Sequence, residues 1–114
     1  MEFSFLEPIA DDVQNFIKEL SSQQLGSKIV FHTQDDFPDL EQIRIAIIGV
    51  AEHRGGHAAE IDLSHFRREF YQLFPGNWEA SIADLGDILP GNTKSDTYFA
   101  LQQVVSSLIK RKII

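Results

Sequence analysis

The spacing of apolar residues changes period several times along the chain. From Pro8 onward Ile9, Val13, Phe16, Ile17 and Leu20 recur at i, i+4, i+7, i+8 and i+11, which predicts a helix with one apolar face that Pro8 opens. The polar run from Ser21 to Gly26 interrupts it. Ile29-Val30-Phe31 then predicts a short strand, placed at a sheet edge because its flanks are polar. Residues 33–42, with Asp35, Asp36, Pro38 and Asp39, predict a solvated connection. Residues 43–50 are β-branched and almost entirely apolar, the mark of a strand covered by helices on both faces. This segment is expected at the centre of the sheet.

A polar loop, residues 51–60, follows, and then a helix. Asp62 is the candidate cap, with Ile61 and Phe66 as a hydrophobic-staple pair and Ser64 as a competing cap. Phe66, Phe70, Leu73 and Phe74 are expected to form its buried stripe, with His65, Arg67 and Arg68 as solvated surface. Pro75-Gly76-Asn77 turns the chain, and Trp78 is expected to cover the core. Residues 80–85 read as another strand that ends in Gly86-Asp87. Thr93 with Asp96 three residues later marks the start of a last helix, with Leu101, Val104, Val105 and Leu108 inside and Lys110, Arg111 and Lys112 at the negative end of its dipole. Ile113-Ile114 look like the opening of a further strand.

This strand-helix rhythm predicts an α/β fold with parallel strands and helical crossovers. Residues 1–42 read as a helix and edge-strand extension, and residues 43–114 as the first strand-helix units of the α/β domain. The 114 residues fit one domain, and 43% hydrophobic with 24% charged residues excludes a disordered chain. The apolar run that starts at Ile45 is far short of the ~20 residues a bilayer requires, so no membrane span is expected. A formal charge of −7 repels phosphate backbones and argues against nucleic acid as a partner. Absence of cysteine excludes disulfides and thiolate metal sites and fits the cytoplasm.

Three clusters carry candidate chemistry. His53 and His57, beside Glu52, have metal-ligand character, but Gly55-Gly56 between them opposes the helix that this spacing needs, so a polar loop is the preferred reading. Arg54-Gly55-Gly56 after a strand could cradle an anion on backbone N–H groups, although the full glycine-rich phosphate spacing is missing. Asp84, Gly86 and Asp87 read first as a strand-end turn, in which each aspartate bonds nearby backbone, and second as cation ligands or an acid-base pair.

Taken in order, Ile45-Ala46-Ile47-Ile48-Gly49-Val50, the Arg54-Gly55-Gly56 loop, Phe66-Arg67-Arg68-Glu69-Phe70-Tyr71-Gln72-Leu73, Asp84-Leu85-Gly86-Asp87-Ile88 and Asp96-Thr97-Tyr98-Phe99-Ala100-Leu101 resemble the amino-terminal part of the arginase, or ureohydrolase, family, nearest its formimidoylglutamase-like branch. The chain departs from the family in having Glu60-Ile61-Asp62-Leu63-Ser64 where a glycine-proline step usually precedes the helix. The resemblance implies a three-layer αβα fold with a mainly parallel sheet. It also implies a parent hydrolase that cleaves a guanidino or formimino C–N bond with two manganese ions.

The family's metal motifs, a Gly-Gly-x-His-Asp-type strand end, an Asp-x-His-x-Asp cluster and a later Asp-x-Asp pair, do not occur in these 114 residues. A two-metal site needs bridging carboxylates to hold both ions and generate hydroxide near neutral pH. The chain is therefore expected to hold no cofactor and no catalytic residue, to contribute a substrate-edge loop at His53, Arg54, Gly55, Gly56 and His57, and to pair with the rest of a parent chain. An unpaired sheet edge would favour self-association of the isolated chain, through that edge or through a helix. The alternatives are a small α/β module that binds a nucleotide or anion at Arg54-Gly55-Gly56, and a purely structural or oligomerising domain.

Overall fold

The computed structural model describes residues 2–51, 62–77 and 79–114. Within them the chain forms a small α/β domain with a mixed four-stranded sheet and three α-helices. The strands are β1 (Leu6–Glu7), β2 (Ile29–Phe31), β3 (Ile45–Val50) and β4 (Ile82–Ile88), and the helices are α1 (Asp11–Ile17), α2 (Leu63–Tyr71) and α3 (Lys94–Lys110).

β4, not β3, is the central strand. β3 pairs with it in parallel along one edge, while the other edge is shared by β2, parallel, and β1, antiparallel. Hence six of the seven β4 residues are buried, whereas every residue of β3 is only partly covered. The apolar run at 43–50 suggested the reverse because composition reports how apolar a strand's faces are and says nothing about how many neighbours it has. β2 is the edge strand its polar flanks predict. β1 was not foreseen, since two residues carry no readable period.

Two apolar clusters lie on opposite faces of the sheet. Ala83, Leu85 and Ile88 of β4 meet Ala100, Val104 and Leu108 of α3, together with Phe3, Leu6, Leu40, Ile43 and Ile113. Ile82 of β4 meets Tyr71, Leu25 and Ile29, with Ile17, Leu20 and Phe70 packed around them. Each fully buried leucine- or isoleucine-sized side chain here stabilises by about 1.5–3 kcal/mol.

α1 begins three residues later than expected, at Asp11 instead of Pro8. Ala10 is its cap residue in extended conformation, so Pro8 and Ile9 precede the helix, yet Ile9 and Val13 are both buried as the apolar face requires. The connection at 33–42 is less solvated than its composition suggests: Pro38 and Leu40 are buried, and the Asp39 side chain accepts from Glu41 N–H to start a short 3-10 turn. α3 starts at Thr93 as expected, whose Oγ1 accepts from Asp96 N–H at 3.1 Å. Its inner face is Thr97, Ala100, Val104 and Leu108, with Leu101 partly covered and Val105 exposed, one position away from the predicted stripe.

α3 ends in a left-handed turn. Lys112 has φ 62°, Lys112 N–H donates to Ile109 O and Ile113 N–H donates to Leu108 O. This is the Schellman arrangement, closed by contact between Ile113 and Leu108 in one cluster. It delivers Ile114 to the outer edge of β3, where Ile114 N–H donates to Arg44 O and Ala46 N–H donates to Ile114 O, both at 2.9 Å. No helix among the described residues is long and apolar enough to cross a membrane.

Candidate functional site

β4 carries one carboxylate in the middle of an otherwise apolar run, Ile82-Ala83-Asp84-Leu85, and Asp84 is fully buried. A buried carboxylate needs a partner, and α2 supplies it. Arg67 Nε and Nη2 donate to the two oxygens of Asp84 at 2.7 and 3.0 Å, a bidentate fork. Tyr71 Oη donates to Asp84 Oδ2 at 2.5 Å, and Gly86 N–H donates to Oδ1 at 3.0 Å. Four donors saturate the carboxylate. Arg67 Nη2 also donates to Gly86 O at 3.2 Å, and Nη1 lies 2.7 Å from Asp87 Oδ1. That last contact is an ion pair without hydrogen-bond alignment, so Asp87 Oδ1 accepts no hydrogen bond from the described residues.

Asp87 reaches this face through a β-bulge. The register runs from Ile47↔Asp84 to Gly49↔Asp87, so β4 spends one residue more than β3 over the same span. Gly86 absorbs it at φ +90°, and a Cβ there would stand 1.8 Å from Glu7 O. Strict alternation would turn Asp87 toward α3 and Ile88 toward α2. The bulge reverses both, bringing Asp87 beside Asp84 and placing Ile88 in the α3 cluster. Gly49 completes the fit, because a Cβ on it would meet Asp87 Oδ1 at 2.0 Å. On the far side, His32 Nδ1 stands 2.9 Å from Leu85 O, as donor, since a carbonyl can only accept.

The electrostatics are those of a permanent clamp. Burial alone would pull the Arg67 guanidinium down, but Asp84 and Asp87 outweigh it and hold the group charged, above its ordinary value. Burial and the adjacent Asp84 push the Tyr71 phenol well above its ordinary range, so it remains a donor. Glu7 sits directly across the ladder from Asp87, and its carboxyl is raised above the ordinary value by burial and by that like charge.

These positions correct the sequence reading of α2 and β4. The stripe of α2 is Arg67 and Tyr71, both buried, with Phe70 of the expected stripe partly buried beside them, while Phe66, Leu73 and Phe74 are exposed at 52%, 56% and 67%. Arg67 is not solvated, because its aliphatic stem packs inward and its head is fully paired. Arg68 does lie at the surface, 2.7 Å from Asp12 of α1. Asp84, Gly86 and Asp87 are interior to a strand that runs to Ile88 and do not form a strand-end turn, although the expected bond from Asp84 to a nearby N–H is present at Gly86. Asp62 is the cap of α2, accepting from His65 N–H at 2.9 Å. The loop candidates Glu52, His53, Arg54, Gly55, Gly56 and His57, the staple residue Ile61 and Trp78 lie outside the described residues.

Arg67 and Tyr71 had a signal in the sequence. Leu63, Arg67 and Tyr71 are spaced i, i+4 and i+8, and Asp84 interrupts a buried strand. Requiring a counterion for Asp84 would have pointed to the arginine on the neighbouring helix.

Between β3 and α2 lies a cavity of about 290 Å³ walled by Ile47, Gly49, Leu63, Phe66 and Phe70, with Arg67 and Tyr71 also lining it. The polar heads of these two residues are engaged with Asp84, so the space offers apolar contact rather than acid-base chemistry. The two carboxylates also do not suit manganese: Asp84 has both oxygens saturated, and a guanidinium stands against Asp87. Among the described residues no three His, Cys, Asp or Glu side chains converge on one point. Comparison with protein-family models, curated proteins and solved structures finds no match for this chain.

Proposed function

We propose that this chain is the non-catalytic amino-terminal part of a manganese-dependent ureohydrolase-like protein. The parent acts in the cytoplasm within an arginase-like three-layer αβα fold and hydrolyses a guanidino or formimino C–N bond such as that of formimidoylglutamate. The observation that carries this reading is the path of the chain. Parallel β3 and β4 are each followed by a helix, and the chain then returns from α3 to begin main-chain pairing on β3 through Ile114. That path sets the carboxyl ends of β3 and β4 side by side, where open α/β sheets build their sites. It also agrees with the order of segments on which the family resemblance rests.

In this reading the chain supplies scaffold. The Arg67–Asp84–Tyr71 network fixes α2 against β4, and the segment from His53 to Glu60, which follows β3 in the sequence, borders the substrate of the parent. The metal ligands belong to the rest of the parent chain, which is the principal partner. The gene beyond the codon for Ile114 tests this directly. A Gly-Gly-x-His-Asp or Gly-Gly-x-Gln-Asp strand end and an Asp-x-His-x-Asp cluster are expected within roughly the next 60 residues, because a two-metal site requires such ligands. Absence of both removes the assignment. In a second test, calorimetric titration of the 114-residue chain with manganese should give no binding heat, and saturable binding with accompanying hydrolysis would reject the non-catalytic role.

A further inference from the structure

β3 turns alternate side chains toward α2. Ile45 and Ile47 pack into the cluster beneath that helix, and Gly49, the next position on the same face, brings no side chain to it. None would fit, because a Cβ on Gly49 would stand 2.0 Å from Asp87 Oδ1 and 2.8 Å from Leu63 Cδ1. The bulge that turns Asp87 to this face therefore leaves the end of β3 bare, and the cavity of about 290 Å³ lies against it.

A gap of this kind shrinks when the elements around it can shift. Here α2 is held. The Arg67 fork and the Tyr71 hydroxyl fix the helix on Asp84, so it cannot move toward β3 without breaking a buried charge pair. The helix wall is aromatic: the Phe66 and Phe70 rings lie 5.5 Å apart at 53°, and the Phe70 and Tyr71 rings 5.4 Å apart at 46°. Tilted and edge-on rings at this spacing are what a further ring packs against. No polar group is left to receive a charged guest. The heads of Arg67 and Tyr71 are engaged by Asp84, and Asp87 Oδ1 is shut off from solvent, so an ionic molecule would lose its water without replacement.

We infer that the cavity between β3 and α2 is a binding site for a small neutral aromatic molecule of one or two rings. About 150 Å³ of apolar space is enough to stay dry and take up benzene, and pockets for larger ligands begin at roughly 300 Å³. The space here lies between these sizes, which sets the upper limit on the guest. Neither the site nor its test involves ureohydrolase chemistry, so this site and the fragment reading above stand or fall separately.

Titration of the 114-residue chain with benzene and with indole, followed by NMR, tests it. Saturable one-to-one shifts are expected at Ile47, Leu63 and Phe70, and none at Val105 and Ile109, exposed apolar residues of α3 on the other face of the sheet. Benzoate and benzylammonium, which carry a charge on the same ring, should bind at least about tenfold more weakly. Leu63→Phe fills the space from the helix and Ile47→Phe fills it from the strand. Each should abolish the binding shifts while the amide spectrum stays that of the folded chain. Shifts that do not saturate, equal shifts at Val105 and Ile109, equal affinity for the charged rings, or undiminished binding in either filled variant that folds overturn the site. So does a benzene affinity that falls as protein concentration rises, which would identify side chains of a second copy as the occupant.

Discussion

On one face of β4, Ala83, Leu85 and Ile88 meet α3 through apolar contact, whereas on the other face Ile82, Asp84 and Asp87 meet α2, and two of those three are carboxylates. Apolar contact is non-directional, so the α3 face stabilises in proportion to the area it buries and tolerates small slides. The α2 face is directional. A guanidinium fork, a phenol and a backbone N–H all converge on one carboxylate, so α2 can sit at only one height and one rotation. Such a network adds little net stability over a well-packed apolar replacement, but it is costly to break one partner at a time. Specifying where the helix sits is the more reasonable account of its presence.

The largest expected effect comes from breaking the directional face. Arg67→Met leaves Asp84 buried without its counterion and should lower stability by about 3–5 kcal/mol in chemical denaturation. Arg67→Lys should recover only part of this, since an ammonium cannot supply the fork. A loss no greater than the ~1 kcal/mol of a surface pair would show that the two faces do not differ as described. On the apolar face Leu85→Ala should cost about 2–5 kcal/mol from lost burial and the cavity left behind, without moving α3. Amide exchange along both helices separates the two cases, since only the arginine variant should loosen α2.

Gly86→Ala sharpens the comparison by attacking the bulge that sorts residues between the faces. The left-handed backbone alone makes it unfavourable by about 1–3 kcal/mol, and the added Cβ meets Glu7 O, so β1 should detach. Loss of exchange protection at Glu7 and at Leu89, whose N–H donates to Phe5 O, checks this, and retained protection would mean that the bulge relaxes without β1. Tyr71→Phe removes one of four donors to Asp84 and should cost about 1.5 kcal/mol, leaving α2 in place.

Glu7→Gln should have the smallest effect, and its sign depends on pH. The folded state raises the Glu7 carboxyl above its ordinary 4.5, so the folded protein favours the protonated form. The stability this residue contributes is then complete below the unfolded value and declines as pH rises through the folded one. Thermal unfolding of Glu7→Gln should match the parent below about pH 4 and exceed it near neutrality. A variant less stable at neutral pH would show that the Glu7–Asp87 repulsion is unimportant.

Much of the secondary structure was legible because it depends on local periodicity and local chemistry. The Thr93–Asp96 start of α3, the Asp62 cap of α2 and the edge strand at Ile29-Val30-Phe31 were all visible in short windows. The candidate site was less legible. Asp84 and Asp87 stand out in the sequence as chemically notable, but their pattern reads as a turn, because a strand with aspartates and a glycine resembles a strand end until its neighbours are known. Arg67 looks solvated in the sequence because arginine usually is, and its burial is explained only by a carboxylate seventeen residues away in the chain.

The sequence by itself therefore determined the order of β2, β3 and β4 and of the three helices, the starts of α2 and α3 that carry their own caps, and the apolar character of β3. Those features arise from interactions between residues a few positions apart. The tertiary structure alone decided that β4 is central, that Gly86 turns Asp87 and Ile88 to opposite faces from those alternation predicts, and that Arg67 and Tyr71 rather than Phe66, Leu73 and Phe74 are buried under α2. Each of these depends on pairing between distant segments, where one bulged residue or one buried charge selects among packings that local pattern leaves equally acceptable.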